Sequence, residues 1–231
     1  EIQVNSTTAD SQTLSSVAGL QSGGFVAAWS SWNQDGSGWG TYAQTFDANG
    51  TAAGSEFLVN NTTSGSQVWV NLTALDDGGY LAVWLSGNQV VSQRFDAAGV
   101  EVGTETIVNT NAAGPLYSPD ASSLSGGGYV VTWTVLNQDG SSYGVYGQQY
   151  ASDGSPVGTE FLINSTTANS QLWQDVAGLG GGGYVVAWSS WQQDGSQYGI
   201  YSQRYDASGS PVGGETLVNT TTFNAQMMPS V

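Results

Sequence analysis

The sequence predicts an all-β chain of tandem four-stranded antiparallel repeats, arranged as β-propeller-type blades. Three observations predict it: a phrase ending in tryptophan that returns four times, an aromatic series in step with it, and the absence of any capped helical periodicity. The tryptophan phrases are "GGFVAAW", "GGYLAVW", "GGYVVTW" and "GGYVVAW", closing on Trp29, Trp84, Trp133 and Trp188 at spacings of 55, 49 and 55. The aromatics Phe46, Phe95, Tyr150 and Tyr205 follow, spaced 49, 55 and 55. A third series, Asn5, Asn60, Asn109, Asn164 and Asn219, is spaced 55, 49, 55 and 55. Three independent series in agreement fix the repeat.

Each element has its own local signal. The first strand is "SSVAGL" or "QDVAGL", ended by a glycine-rich turn. The second is the "GGYVVAW" phrase, dense in the β-branched and aromatic residues that pleated surfaces favour. The third, "GIYSQRYD", alternates in period two. A turn such as "DASGSPVGG" supplies Asp, Gly and Pro for the next reversal, and "ETLVN" is the fourth strand. Four strands per ~50 residues is the size of a propeller blade, whereas the coils of the alternative, a stacked β-solenoid or fibre array, are shorter. The strand-two aromatics are expected to pack between blades.

The chain reads as one repeat domain over 1–231. Residues 1–12 are a trailing strand of a preceding repeat, and repeats follow at 13–66, 67–115, 116–170 and 171–225, with a fifth beginning at 226–231. The second repeat is short because "WLSGNQVVSQRF" replaces "WSSWNQDGSGWGTYAQTF", so the opening loop is dispensable to the framework. The extra strand suggests a segment of a longer array or head-to-tail self-association through strand edges. A start at "EIQVN", without Met, suggests a processed or excised piece.

The segment "GGYVVAWSSWQQDGSQYGIYSQRYDASGSPVGGETLVNT" (182–220) resembles the tandem repeats of very large, acidic, secreted bacterial proteins of the RTX/hemolysin type and of surface adhesins. The resemblance covers all four repeats and implies export, an extracellular or cell-surface location and propeller-like folding. It implies no reaction. The calcium-loading nonapeptide of true RTX coils is absent, so that family's metal ligands do not carry over.

Composition narrows the function. Eighteen carboxylates face two arginines, Arg94 and Arg204, with no lysine, for a net charge of −16. Such a surface repels nucleic acid and anionic lipid. There is no cysteine, which fits an exported chain. No apolar run reaches the ~18–20 residues of a membrane helix. Without His, Cys or Lys the usual bases and nucleophiles are missing. A carboxylate pair hydrolyses glycosides without them. The best-placed carboxylates, Glu56, Glu105, Glu160 and Glu215, recur once per repeat, which marks them as architectural, and the chain is expected to be non-catalytic.

The opening loops hold the candidate binding residues. Asp35, Asp139 and Asp194 precede glycine, a strong turn signal. With Asn33 and Asn137 they also offer the hard oxygens calcium takes, the one cofactor expected. Trp32, Trp39, Tyr143, Trp191 and Tyr198 surround these aspartates as apolar platforms beside polar tips, the composition of a carbohydrate site. Asn5, Asn61, Asn71, Asn164 and Asn219 begin Asn-x-Ser/Thr sequons. Arg94 and Arg204 precede Asp96 and Asp206 by two residues, a spacing that suggests structural ion pairs. Together these features predict an extracellular structural and adhesive module whose partners are surface glycans or neighbouring copies, with a calcium-assisted, carbohydrate-binding propeller as the alternative.

Overall fold

The computed structural model describes residues 1–111 and 114–231. They divide into two compact units, Glu1–Val108 and Asn109–Val231. The first holds two sheets: β1 (Gln12–Gly19), β2 (Phe25–Trp32), β3 (Trp39–Phe46) and β4 (Phe57–Leu58), then β5 (Gln67–Ala74), β6 (Tyr80–Ser86), β7 (Gln89–Phe95) and β8 (Glu101–Ile107). The second holds β9 (Leu116–Ser123), β10 (Tyr129–Leu136), β11 (Tyr143–Tyr150) and β12 (Pro156–Leu162), then β13 (Gln171–Gly178), β14 (Tyr184–Trp191), β15 (Tyr198–Tyr205) and β16 (Pro211–Leu217). Every sheet is an antiparallel meander in chain order, the pattern of a β-propeller blade. A solenoid would merge strands of successive repeats into continuous sheets, but each repeat here keeps its own.

The glycine pair that opens each second strand has a double cause. Its first member turns left-handed, with φ of 85° at Gly23, 90° at Gly78, 93° at Gly127 and 86° at Gly182. Its second member leaves no room for a Cβ, which would stand 2.2 Å from the Phe46 carbonyl oxygen at Gly24 and 2.2 Å from that of Tyr205 at Gly183. The strand that follows is buried along most of its length. Trp84 packs with Ala18, Val26 and Leu72 of both sheets in the first unit, and Trp188 with Val130, Val145 and Val176 in the second. Trp84 and Trp188 therefore pack between blades, whereas Trp29 packs with Ala27, Tyr42 and Phe46 of its own sheet.

Each first strand carries a bulge whose residue is left-handed: Leu14 (φ 53°), Trp69 (62°), Ser118 (47°) and Trp173 (55°). Such φ values are strained for large side chains and collect at functional sites. Beyond the bulge the first strands of neighbouring blades are joined. Ser16 Oγ accepts the Leu72 N–H at 3.0 Å in one unit, and Asp120 Oδ2 accepts the Val176 N–H at 2.9 Å in the other.

Between blades the recurring glutamates act as latches. Glu56 accepts the Ser6 N–H at 2.6 Å, Glu160 the Thr110 N–H at 2.7 Å and Glu215 the Ser165 N–H at 2.9 Å. Arg94 pairs with Asp77 at 2.7 Å, not with Asp96. Asp96 instead closes its own turn by accepting the Ala98 and Val100 N–H groups, and Asp206 does the same for Ser208 and Ser210.

Candidate functional site

The site is built on the first strands of the second unit. Aligning "SSVAGL", "VNLTAL", "PDASSL" and "QDVAGL" puts Ser16, Asn71, Asp120 and Asp175 at one position. The legible signal for this column is two aspartates at the same strand position, 55 residues apart. Asp120 is 9% exposed. Its oxygens accept the Ala121 and Val176 N–H groups at 2.9 Å each. It also shares a hydrogen bond with Asp175, whose Oδ2 accepts the Val231 N–H at 2.6 Å. Burial, then the Asp175 charge, pushes the Asp120 carboxyl up to about 8. The pair therefore holds one proton at neutral pH. Beside it Gln174 ties the blades together, accepting from the Thr134 hydroxyl at 2.7 Å and donating to the Ser118 carbonyl.

Two residues before Asp175 stands the bulge residue Trp173, which opens an aromatic strip. Trp173 lies 5.3 Å from Tyr198, and Trp191 lies 4.8 Å from it, edge to face. Tyr143 lies 5.4 Å from Tyr117, also edge to face. The Tyr117–Tyr143 hydrogen bond, then burial, raises the Tyr143 hydroxyl, with a smaller contribution from Tyr198 of the next blade. In the first unit Trp32 and Trp39 pair at 5.3 Å, and Trp32 is 44% exposed. None of the five loop aromatics is buried. Trp69, Tyr117 and Trp173 were not singled out in the sequence because they belong to the bulge rather than to the loop.

The loop aspartates work as turn formers. Asp35, Asp139 and Asp194 accept the N–H two residues ahead at 3.0, 3.0 and 3.1 Å. Their Oδ2 atoms, and the Oε1 atoms of Gln34, Gln138 and Gln193, are buried without a hydrogen-bond partner. Asn33 and Asn137 take left-handed φ values of 56° and 63°, so their backbone geometry shapes the turn. Among the described residues no group of three or more His, Cys, Asp or Glu assembles around a metal position.

The sequon asparagines divide. Asn164 is 1% exposed, accepts the Val145 N–H at 2.7 Å and donates to Thr166 and Gln171, which leaves no face for a glycan. Asn219 repeats that pattern with Ile200 and Thr221, and Asn5 donates to Thr7. Asn61 is exposed and Asn71 is half-buried.

No family model and no curated protein matches this sequence. By fold the chain is similar to the Penicillium chrysogenum α-L-arabinanase complexed with arabinobiose, with a TM-score of 0.61 and 14% identity over 90% of this chain and 66% of that one. A thermostable family-43 glycoside hydrolase gives 0.57 and 10% identity, over 94% of this chain and 75% of that one. A Dyadobacter fermentans protein of unknown function gives 0.60 and 13% identity, over 89% and 68%. The similarity shows the fold. It corrects two expectations: two of these three neighbours are a family-43 glycoside hydrolase and an arabinanase and none is an RTX/hemolysin-type adhesin repeat, and enzymes on a similar fold remove the ground for excluding an enzyme. The exclusion rested on glutamates that recur in every blade, whereas the Asp120–Asp175 pair occurs once among the described residues. Head-to-tail self-association finds no support in these neighbours.

Proposed function

We propose that the chain is a carbohydrate-active β-propeller that lays a glycan along its aromatic strip and protonates it from the Asp120–Asp175 pair. One observation carries the reading. Ser16 makes the same inter-blade hydrogen bond that Asp120 makes, so the second unit places two carboxyls where a hydroxyl suffices. Two neighbouring carboxyls, one of them buried, cost desolvation and repulsion, and a local rule broken without structural need points to function. The glycoside hydrolases of similar fold, one of them solved with arabinobiose, support carbohydrate as the substrate class.

The chemistry follows from the shared proton. Asp120 holds it at neutral pH, because burial and the Asp175 charge disfavour its loss. The pair's proton goes to the leaving glycosidic oxygen as its bond to the anomeric carbon breaks, a solvent water adds to that carbon, and the proton this water gives up restores the pair. Hydrogen-bonded carboxyls stand closer than the ~5 Å or more that separates donor from nucleophile in glycosidases, so the two act as one donating unit. Aromatic faces supply the apolar platform for sugar rings. Calcium at the loop aspartates is part of the proposal, supported by the buried, unpartnered Oδ2 atoms, and so is an extracellular location.

The test is a panel of polysaccharides assayed for binding and for release of reducing ends, with calcium and with EGTA. Binding lost in Trp173→Ala and Trp191→Ala, and hydrolysis lost in Asp120→Asn with binding kept, is the expected pattern. Absence of binding and hydrolysis across the panel would overturn the reading.

A further inference from the structure

The short second repeat leaves a gap that the long repeats fill. In three repeats a loop glutamine reaches the latch glutamate: Gln34 donates to Glu56, Gln138 to Glu160 and Gln193 to Glu215. The fourth repeat adds a second contact there, from Gln193 to the Thr166 hydroxyl at 3.0 Å. Repeat two lacks the six loop residues that carry this glutamine, yet it keeps the glutamate as Glu105, with one oxygen on the Asn61 N–H. At this place lies a cavity of about 220 Å³, lined by Glu105, Thr62, Ser86, Gln89, Ile107 and Trp84 among others.

We infer that this cavity is a binding site for one neutral sugar ring, on an element that the repeat pattern alone would mark as a lost site. The group that fills the equivalent space in the sister repeats is a carboxamide, a neutral donor aimed at a carboxylate. A ligand seated here offers hydroxyls to Glu105 in the same way, and the Thr62 and Ser86 hydroxyls and the Gln89 amide take its remaining polar groups. The volume is below the ~300 Å³ at which drug-sized pockets begin, which restricts the occupant to a single ring. Apolar Ile107 and the tryptophan edge give that ring one dry side. The site lies wholly within the first unit and does not depend on the Asp120–Asp175 chemistry.

The experiment is a nuclear magnetic resonance titration of the ¹⁵N-labelled chain with methyl glucoside, methyl galactoside and, as a cationic control, ethanolamine. The Trp84 indole and Gln89 amide signals are expected to shift saturably with a glycoside and not with ethanolamine. A second chain in which the "SSWNQDGSGWG" loop of repeat one is grafted into repeat two restores the glutamine and fills the cavity. Its response is expected to vanish while Trp188 and its unit keep their spectrum. Equal response in the grafted chain, shifts with ethanolamine alone, or no saturable shift with either glycoside would each overturn the inference. Because the readout is confined to the first unit, failure here leaves the glycan strip of the second unit standing, and failure of the strip leaves this site standing.

Discussion

The first strands of the two units solve one problem in two ways. In the first unit Ser16 takes the next blade's N–H with a hydroxyl, and in the second Asp120 takes it with a buried carboxyl pressed against another. The hydroxyl is the cheaper answer, since it buries no charge and repels nothing. The difference teaches that architecture and chemistry occupy the same column of the repeat, and only their comparison separates them. The four glutamates give the complementary lesson. They recur, and each takes a linker backbone N–H, so recurrence there marks structure.

The largest expected effects test whether the units are equal in their cores. Trp84→Ala and Trp188→Ala each remove a tryptophan at most 1% exposed and should destabilise their own unit by about 3–5 kcal/mol in denaturant melts. A much smaller loss in one unit would break the equivalence of the blades. Next comes the aromatic strip. Trp173→Ala or Trp191→Ala should weaken glycan binding about tenfold or more in calorimetric titration, while Trp32→Ala, in the unit without the carboxyl pair, should leave hydrolysis unchanged. Loss of hydrolysis in Trp32→Ala would move the active face to the first unit.

A subtler effect is carried by pH. The Asp120 carboxyl titrates near 8 when folded, above its ordinary value of 3.8, so between those values the folded state holds a proton that the unfolded state has released. Stability of the second unit should therefore fall as pH rises from about 4 to about 8 and then level off. Asp120→Ser should flatten that slope, and thermal melts across the range read it directly. An unchanged slope would show that the pair does not share a proton. The smallest effect belongs to the latches. Glu160→Gln weakens charge-assisted bonds to Thr110 and should cost about 1–2 kcal/mol.

Much of the fold was legible because its causes are local. The doubled glycine, the strand-two tryptophan and the turn aspartates each report a constraint that acts within one repeat, and the structure gives each its reason. The fourth strand was placed less well: "ETLVN" was read, but β16 begins earlier, at Pro211, because the turn at Asp206 closes within a few residues. The site was half legible. Loop aromatics advertise themselves beside an Asp-Gly turn, whereas Trp173 and Tyr117 reach their ring partners from a bulge, and the two carboxyls meet across neighbouring blades. Bulge and carboxyl positions both recur in step with the repeat, but their partners across the bulge and on the next blade cannot be read from that recurrence. The buried Asn164 shows the opposite failure, a sequon whose asparagine amide is consumed by the framework.

The central claim is that Asp120 is present for its proton and not for its hydrogen bond. Asp120→Ser tests it most directly, since Ser16 already shows serine making that bond at 3.0 Å. Reducing-end release from a polysaccharide that the wild-type chain binds and cleaves should fall by about 10²–10⁴ in this variant, with the glycan still bound and the melting temperature kept or raised. Undiminished cleavage by the serine variant would contradict the account and return Asp120 to the framework.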